Sequence, residues 1–333
     1  MEKTYLFWKG LEKISKEVNG NENISIGIRP FGFHAGNELT LLAYPWHLCN
    51  LVKKEGKKPQ FNFFISINDM EPCGLKYLYV DKSNNFYFKE EEITMSEEVP
   101  FEYNIFPRTT SFQHTPCLKG CCKSIADHWK KIIGKKLCFL KKEFPGVKIR
   151  LIKNSSIKNE PEFKKAITKA INNPELFTQT IDKKEPLIVK KEFLNYGGAI
   201  CPKCKSAQGK TKLIAGKLTF KCKNCGQITR NSSREKSDFW MYYAFILPPR
   251  IKMQKIDICI RGLDHYRRKN VQINDYIYKK IYGEEPLVKT IITPLITDKS
   301  GKKMSKTRAN DKEEKISKLI KATEGNNSQK ITL

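Results

Sequence analysis

No stretch of this 333-residue chain approaches the ~18 consecutive apolar residues of a membrane-spanning helix, which excludes a helical span. The opening MEKTYLFWKG does not read as a secretory leader, because a Lys and a Gly flank a very short apolar stretch. There is no internal repeat and no long low-complexity segment. Acidic residues are scarce: 35 Asp and Glu stand against 62 Lys and Arg, a formal charge of +27. Solubility does not require that excess, so an anionic partner is expected: nucleic acid, a membrane surface or a polyphosphate. A lysine-biased coding composition would give the same excess with no partner at all. With 39% hydrophobic, 11% aromatic and 29% charged residues, the chain is globular and has material for a core. Its length fits roughly two domains, or one with an insertion. Eleven cysteines are too few for a disulfide-stapled secreted fold, and four of them sit at metal spacing. A cytoplasmic, reducing setting is therefore expected.

The first third reads as an α/β unit. A β-type run, Ile24 to Ile28, leads into Arg29-Pro30-Phe31-Gly32-Phe33-His34-Ala35-Gly36-Asn37 and an apolar stretch from Leu39 to Val52. A second strand, Phe61 to Ile67, ends in Asn68-Asp69. Strand, Gly-containing turn, helix and apolar strand make the βαβ pattern of a parallel sheet. Pro45 falls inside the helix, where a kink or an early break is expected. Residues 73–115 read as irregular. Helices are expected at about Lys123 to Lys136, Glu160 to Asn172 and Val271 to Ile281. Strands are expected at Val147 to Ile152, Ile256 to Ile260 and Thr290 to Ile296, before a polar loop, Asp298 to Asp311, and a short amphipathic tail.

Cys201-Pro-Lys-Cys204 and Cys222-Lys-Asn-Cys225 are two CxxC pairs separated by 17 residues. Each turn aims two thiolates at one ion, and two turns complete a tetrahedral four-sulfur shell. Lys212 to Phe220 alternates around a Gly turn and reads as a hairpin, so the module is expected to be a zinc ribbon. Four cysteines leave no open position, which makes that zinc structural. Residues 201–226 carry seven lysines and no acid, a surface suited to phosphates or simply a solvated knuckle. His114, Cys117, Cys121, Cys122 and His128 form a second cluster of unorthodox spacing. It reads as packed thiols rather than a metal site, since free Cys is among the most buried residue types.

Two short motifs suit a nucleotide. His34-Ala35-Gly36-Asn37 stands between a strand and a helix, where backbone N–H groups and the helix dipole can face a phosphate. Gly301-Lys302-Lys303-Met304-Ser305-Lys306-Thr307 combines a mobile glycine with lysines able to follow charge moving onto a leaving pyrophosphate. Each alone is equally a turn or a solvated basic loop. Together, His-x-Gly-Asn and Lys-Met-Ser-Lys resemble the HIGH and KMSKS motifs of class I aminoacyl-tRNA synthetases. Ile260-Arg261-Gly262-Leu263-Asp264-His265 is similar to the strand-loop that holds adenosine and substrate in the glutamate- and lysine-specific branch.

Within that branch the chain resembles the class I lysyl-tRNA synthetases, whose catalytic part carries a cysteine-rich zinc ribbon between the two halves of the nucleotide fold. Asn68-Asp69-Met70-Glu71-Pro72 resembles that family's acidic turn, Pro116 to His128 its Pro-rich turn and helix, and Trp240 its Trp after the ribbon. There are departures. Arg29-Pro30-Phe31-Gly32 replaces a Thr/Ser-Pro-Ser-Gly turn, Thr40 stands near the place of an acid, and Thr307 replaces a Ser. The chain stops about 20 residues past the loop, where the family continues into a helical anticodon-reading domain.

The resemblance implies an α/β fold: a Rossmann-like parallel-sheet synthetase catalytic domain with an inserted zinc ribbon and no anticodon-binding domain. The halves of the nucleotide fold would span 1–115 and 231–311, with a connecting insertion at 116–195, the ribbon at 196–230 and a tail at 312–333. It implies ATP, Mg²⁺ and structural Zn²⁺, with lysine as the amino acid and tRNA as the acceptor. His34, Asn37, Lys303 and Lys306 would act around the triphosphate. Gly36, Gly262, Asp264, His265, Met304 and Ser305 would hold ATP, while Asp69, Glu71 and Trp240 would line the amino-acid pocket. Cys201, Cys204, Cys222 and Cys225 would bind the metal. Two alternatives remain: a paralogue that charges a modified nucleoside, a peptide or a metabolite, and a non-catalytic RNA-binding zinc-ribbon protein.

Overall fold

The computed structural model describes residues 3–30, 35–71, 77–80, 86–89, 102–105, 110–115, 117, 120–157, 160–172, 200–206, 209–214, 217–231, 243–267, 270–297, 299, 301 and 316–332. In chain order the first elements are β1 (Thr4–Leu6), α1 (Phe7–Glu17), β2 (Asn23–Ile28), α2 (Ala35–Glu38), a π-helical turn (Leu39–Ala43), α3 (Tyr44–Lys54) and β3 (Asn62–Ile67). Then come β4 (Tyr77–Val80), β5 (Phe86–Lys89), β6 (Glu102–Ile105), α4 (Ile125–Glu143), β7 (Lys148–Lys153), α5 (Asn154–Ile157) and α6 (Pro161–Asn172). The ribbon contributes β8 (Gly209–Ile214), β9 (Lys217–Cys222) and β10 (Ile228–Asn231). The rest is α7 (Tyr243–Gln254), β11 (Ile258–Gly262), α8 (Leu263–Arg267), α9 (Asn270–Tyr282), β12 (Lys289–Thr293), β13 (Leu295–Thr297), α10 (Ile316–Thr323) and β14 (Lys330–Thr332).

Six strands form one sheet in the order β1-β12-β11-β2-β3-β7, and every pairing in it is parallel. Parallel strands are stable when both faces are covered, and helices pack on each face of this sheet. Ile24, Ile26, Phe63, Ile65, Ile258, Ile260 and Ile291 face the main core with Leu11 and Ile14 of α1, Leu48 and Val52 of α3, and Leu137 and Leu140 of α4. On the opposite face Phe64 and Cys259 pack against Leu247 and Ile251 of α7 and Tyr278 of α9. The strand order reverses between β2 and β11. In open α/β sheets, ligands bind beyond the carboxyl ends of the strands at such a switch point.

Several elements differ from the sequence expectation. Pro45 does not break its helix, which runs from Ala35 to Lys54. The turn before it relaxes to π winding, with the Tyr44 N–H donating to the Leu39 carbonyl. A π turn is a usual way to absorb a local fault in the ladder. Residues 73–115, expected to be irregular, contain an antiparallel sheet in the order β5-β4-β6. The strand expected at Thr290 to Ile296 is divided at Pro294, which has no N–H for the ladder. Its second half, β13, pairs in parallel with β14 of the tail. The amino-terminal β1 and α1 were not foreseen; Trp8, Leu11 and Ile14 give α1 one buried stripe.

Candidate active site and metal clusters

The strands that flank the switch point deliver the candidate residues to one edge of the sheet. Ile26 of β2 lies beside Ile260 of β11 and Ile65 of β3, so these three strands end side by side. Beyond β2 comes α2 with Gly36 and Asn37; beyond β3 come Asp69 and Glu71; beyond β11 come Asp264 and His265 in the short α8. Gly36, Asn37, Asp69, Glu71, Gly262, Asp264 and His265 therefore share the carboxyl edge. His34, Trp240 and Lys303, Met304, Ser305 and Lys306 lie outside the described residues. The segment that carries Lys303 to Lys306 runs from β13 to α10, and both of these elements lie against the helical run that starts with Ala35.

Local contacts explain how the edge is held. Thr40 Oγ1 donates to the Gly36 carbonyl at 2.6 Å. Glu38, 2% exposed, takes Lys136 Nζ of α4 at 2.8 Å, tying the start of the helical run to the neighbouring helix. A Cβ added to Gly262 would stand 2.7 Å from Asp264 Oδ1, so the missing side chain leaves room for that carboxylate at the turn from β11 into α8.

Asp69 is fully buried, and its carboxylate accepts from the Ser155 backbone N–H at 2.9 Å and from Ser155 Oγ. Burial pushes its pKa up, against the lowering effect of the Ser155 bonds. It anchors α5 to the end of β3. Glu71 is ion-paired with Arg29, Nε to Oε2 at 2.6 Å. Arg29 also lies over the Phe112 ring, 5.9 Å from its centroid.

Sequence reading missed Ser155, the Arg29–Glu71 pair and a buried polar chain in which Ser66 Oγ donates to Asn154 Oδ1 and Asn154 Nδ2 to Asn68 Oδ1. The signal available was the polar run Asn154-Ser155-Ser156 directly after the strand Lys148–Lys153.

The four ribbon cysteines place their Sγ atoms within 4.8 Å of one another. Cys201 and Cys225 are 3.7 Å apart, Cys204 and Cys222 3.5 Å. A tetrahedral zinc with Zn–S bonds of about 2.3 Å has sulfurs about 3.8 Å apart, so this donor set fits the ion. The knuckle is joined to the rest of the chain by a bridge between Thr110 and Ser206 and by the Ser111 N–H donating to the Lys205 carbonyl.

The second cluster is also assembled. Cys117, Cys121 and His128 bring three ligand atoms together within the same limit and can hold a metal ion. Cys121 Sγ is 3.1 Å from His128 Nδ1, 3.7 Å from Cys117 Sγ and 3.5 Å from Cys122 Sγ. Only Cys117 is buried, whereas Cys121 is exposed and Cys122 half-buried, so the expectation of packed thiols holds for one cysteine of three.

No curated protein matches the sequence. Among solved structures, the tyrosyl-tRNA synthetase of Archaeoglobus fulgidus complexed with L-tyrosine is similar at 11% identity and a TM-score of 0.40, covering 90% of this chain and 63% of that one. A glutamate tRNA ligase from Elizabethkingia meningosepticum in complex with its amino acid is similar at 13% identity and a TM-score of 0.37, covering 88% of this chain and 53% of that one. The chain thus spans less than two thirds of the length of either. The family model described as tRNA synthetases class I (K) matches residues 107–317, more than half of the chain. The parallel sheet, the strand ends gathered at its switch point and that match agree: the chain belongs to the class I (K) family of tRNA synthetases.

Proposed function

We propose that this chain activates an amino acid with ATP and passes the aminoacyl group to tRNA, with lysine as the amino acid. The family match over residues 107–317 carries this reading. The convergence of β2, β3 and β11 on one edge supports it. In the first step the amino-acid carboxylate attacks the α-phosphorus of ATP, forming an aminoacyl-adenylate and releasing pyrophosphate. In the second, a tRNA hydroxyl attacks the activated carbonyl and AMP leaves. Neither step needs a side-chain nucleophile, so catalysis is positioning and charge stabilisation.

His34, Asn37, Lys303 and Lys306 would bond the triphosphate, with Mg²⁺ neutralising part of its charge. Gly262 would admit the adenosine, while Asp264 and His265 frame the ribose. Gly36, Met304 and Ser305 would complete the nucleotide site. Asp69 and Glu71, with Trp240, would shape the amino-acid pocket: Asp69 by anchoring α5 through Ser155, and Glu71 through its pair with Arg29. Zinc on Cys201, Cys204, Cys222 and Cys225 would be structural, because four thiolates fill its shell.

The test is amino-acid-dependent ATP–pyrophosphate exchange across all twenty amino acids, with and without total tRNA. Lysine-dependent exchange is expected. Lys306→Ala should lower its rate by about 10²- to 10³-fold, the usual cost of losing one transition-state charge contact. No exchange with any amino acid under either condition would refute the reading.

A further inference from the structure

From Cys201 to Asn231 the chain carries seven lysines, one arginine and no acidic residue. The three-stranded sheet sorts part of that charge onto one face. Ile228 of β10 is paired with Lys221 of β9, and Lys221 with Lys210 of β8. Two residues along, Arg230 is paired with Thr219, and Thr219 with Lys212. Residues directly opposite on neighbouring strands share a face, as do residues two apart on one strand. Four cationic positions, a threonine and an isoleucine therefore make up one face.

The alternate row, Thr229 and Phe220 with Thr211, belongs to the other face. There Phe220 is 1% exposed. Lys221 and Arg230 are exposed, and Ile228 is 53% exposed beside Lys221.

Like charges directly opposite each other weaken a sheet, and Lys221 faces Lys210. Five lysines elsewhere are ion-paired: Lys136 with Glu38, Lys153 with Asp127, Lys252 with Glu284, Lys279 with Glu285 and Lys289 with Glu17. Among the described residues, none of the ion pairs uses a ribbon cation. With Lys221 and Arg230 exposed and outside the ion pairs of the described residues, beside the exposed β-branched Ile228, the face suits a partner offering phosphates together with apolar ribose and base surface.

This face is also connected to the candidate active edge through a short backbone relay. The knuckle residues Lys205 and Ser206 bond to 110–111. Phe112 and Gln113, the next residues, donate their N–H groups to the carbonyls of Glu71 and Asp69.

We propose that the Lys210–Lys221–Ile228 and Lys212–Thr219–Arg230 face of the ribbon is the surface on which an RNA strand lies, its phosphodiester backbone against the cations, next to the carboxyl edge of the large sheet. The proposal rests on the synthetase reading for the identity of that RNA as the acceptor. Its physical content is separate from catalysis.

The test is RNA binding by the full chain carrying Lys221→Gln and Arg230→Gln, with a tRNA transcript as probe over a range of salt. The control is a Lys141→Gln, Lys142→Gln chain, which loses the same charge from the exposed end of α4. The ribbon variant should bind at least tenfold more weakly at physiological salt. Its slope of log affinity against log salt should be shallower by about 1.5, the counterions of two lost phosphate contacts. The control should bind like the parent chain.

Ile228→Ser alters no charge and should weaken binding severalfold with the slope kept, which guards against misfolding of the double variant. Equal affinity and slope in the ribbon and control chains would overturn the proposal. So would loss of binding to phosphatidylserine vesicles with RNA binding intact. Absent ATP–pyrophosphate exchange alongside ribbon-dependent RNA binding would sink the catalytic reading and leave this face standing.

Discussion

The carboxyl-terminal helix α10 closes over the helical run that starts at Ala35, and one buried histidine makes that contact pH-sensitive. His47 of α3 is 2% exposed, and its Nε2 lies 2.8 Å from Thr323 Oγ1, itself fully buried at the end of α10. The Thr323 hydroxyl donates its proton to the Leu319 carbonyl at 2.7 Å, so it accepts from a protonated Nε2 of His47. The rings of Trp8 and Trp46 stand edge-on to the imidazole, with centroids 4.9 and 5.3 Å away. Burial pushes the His47 pKa down to about 4, against about 6.5 in an unfolded chain.

A lowered histidine pKa means that the unfolded state takes up the proton first. The penalty on the native state is therefore absent above pH 7 and grows as pH falls from about 6.5 towards 4. Between pH 7.5 and pH 5 it amounts to about 2 kcal/mol. Asp275 works in the opposite sense. Its pKa is pushed up to about 6 by burial, so its folded form binds the proton more tightly and gains about 1 kcal/mol over the same window. The informative quantity is thus the difference between the parent chain and His47→Leu. Urea unfolding at pH 7.5 and pH 5 should show the parent losing about 2 kcal/mol more than the variant. Equal losses in the two chains would refute both the neutral histidine and the closure it supports.

Gly262→Ala inserts a methyl 2.7 Å from Asp264 Oδ1 and displaces that carboxylate. The KM for ATP should rise about tenfold, a cost of ~1.4 kcal/mol, with little change in Tm; steady-state kinetics at saturating amino acid would show it. Metal content should reach two zinc ions per chain by elemental analysis, since both cysteine clusters gather their ligand atoms. Cys204→Ser and Cys121→Ser should each lower it by one. A parent chain with a single ion, unaffected by Cys121→Ser, would return the second cluster to packed thiols.

The central βαβ was legible because its strands carry apolar rows, Ile24, Ile26 and Ile28 in β2 and Phe63, Ile65 and Ile67 in β3, on either side of a Gly-containing segment. The matching runs at Ile24–Ile28, Phe63–Ile67 and Ile258–Ile260 pair in register as that reading requires. What escaped was structure whose apolar residues find cover elsewhere in the sequence. α10 and β14 read as a tail until Leu319 and Ile331 join the main core. Likewise β14 has no partner in its own neighbourhood and pairs with β13. The third ribbon strand, β10, follows the second CxxC pair, and only its pairing to β9 reveals that the hairpin is a sheet. Long-range pairing leaves little trace in local periodicity.

The site was legible as a set of residue types and less so as a set of contacts. Asp69 was singled out as an acid at a strand end, which it is. Full burial against Ser155 makes it an anchor for α5 rather than a group facing solvent. The changed turn at Arg29 was visible as a departure, but its consequence required the fold. Arg29 reaches across from the end of β2 to Glu71 beyond β3 and neutralises that carboxylate. The Glu71 side chain is only 14% exposed. In that position a charge without a partner would be costly, so the acid and the arginine are best understood as one unit. Replacing Arg29 alone, with the family's Thr for example, would leave Glu71 to find another cation at the same edge. An amino acid with a positively charged side chain is one such cation. The pair therefore sets how much negative charge the edge carries, and Arg29 reduces it.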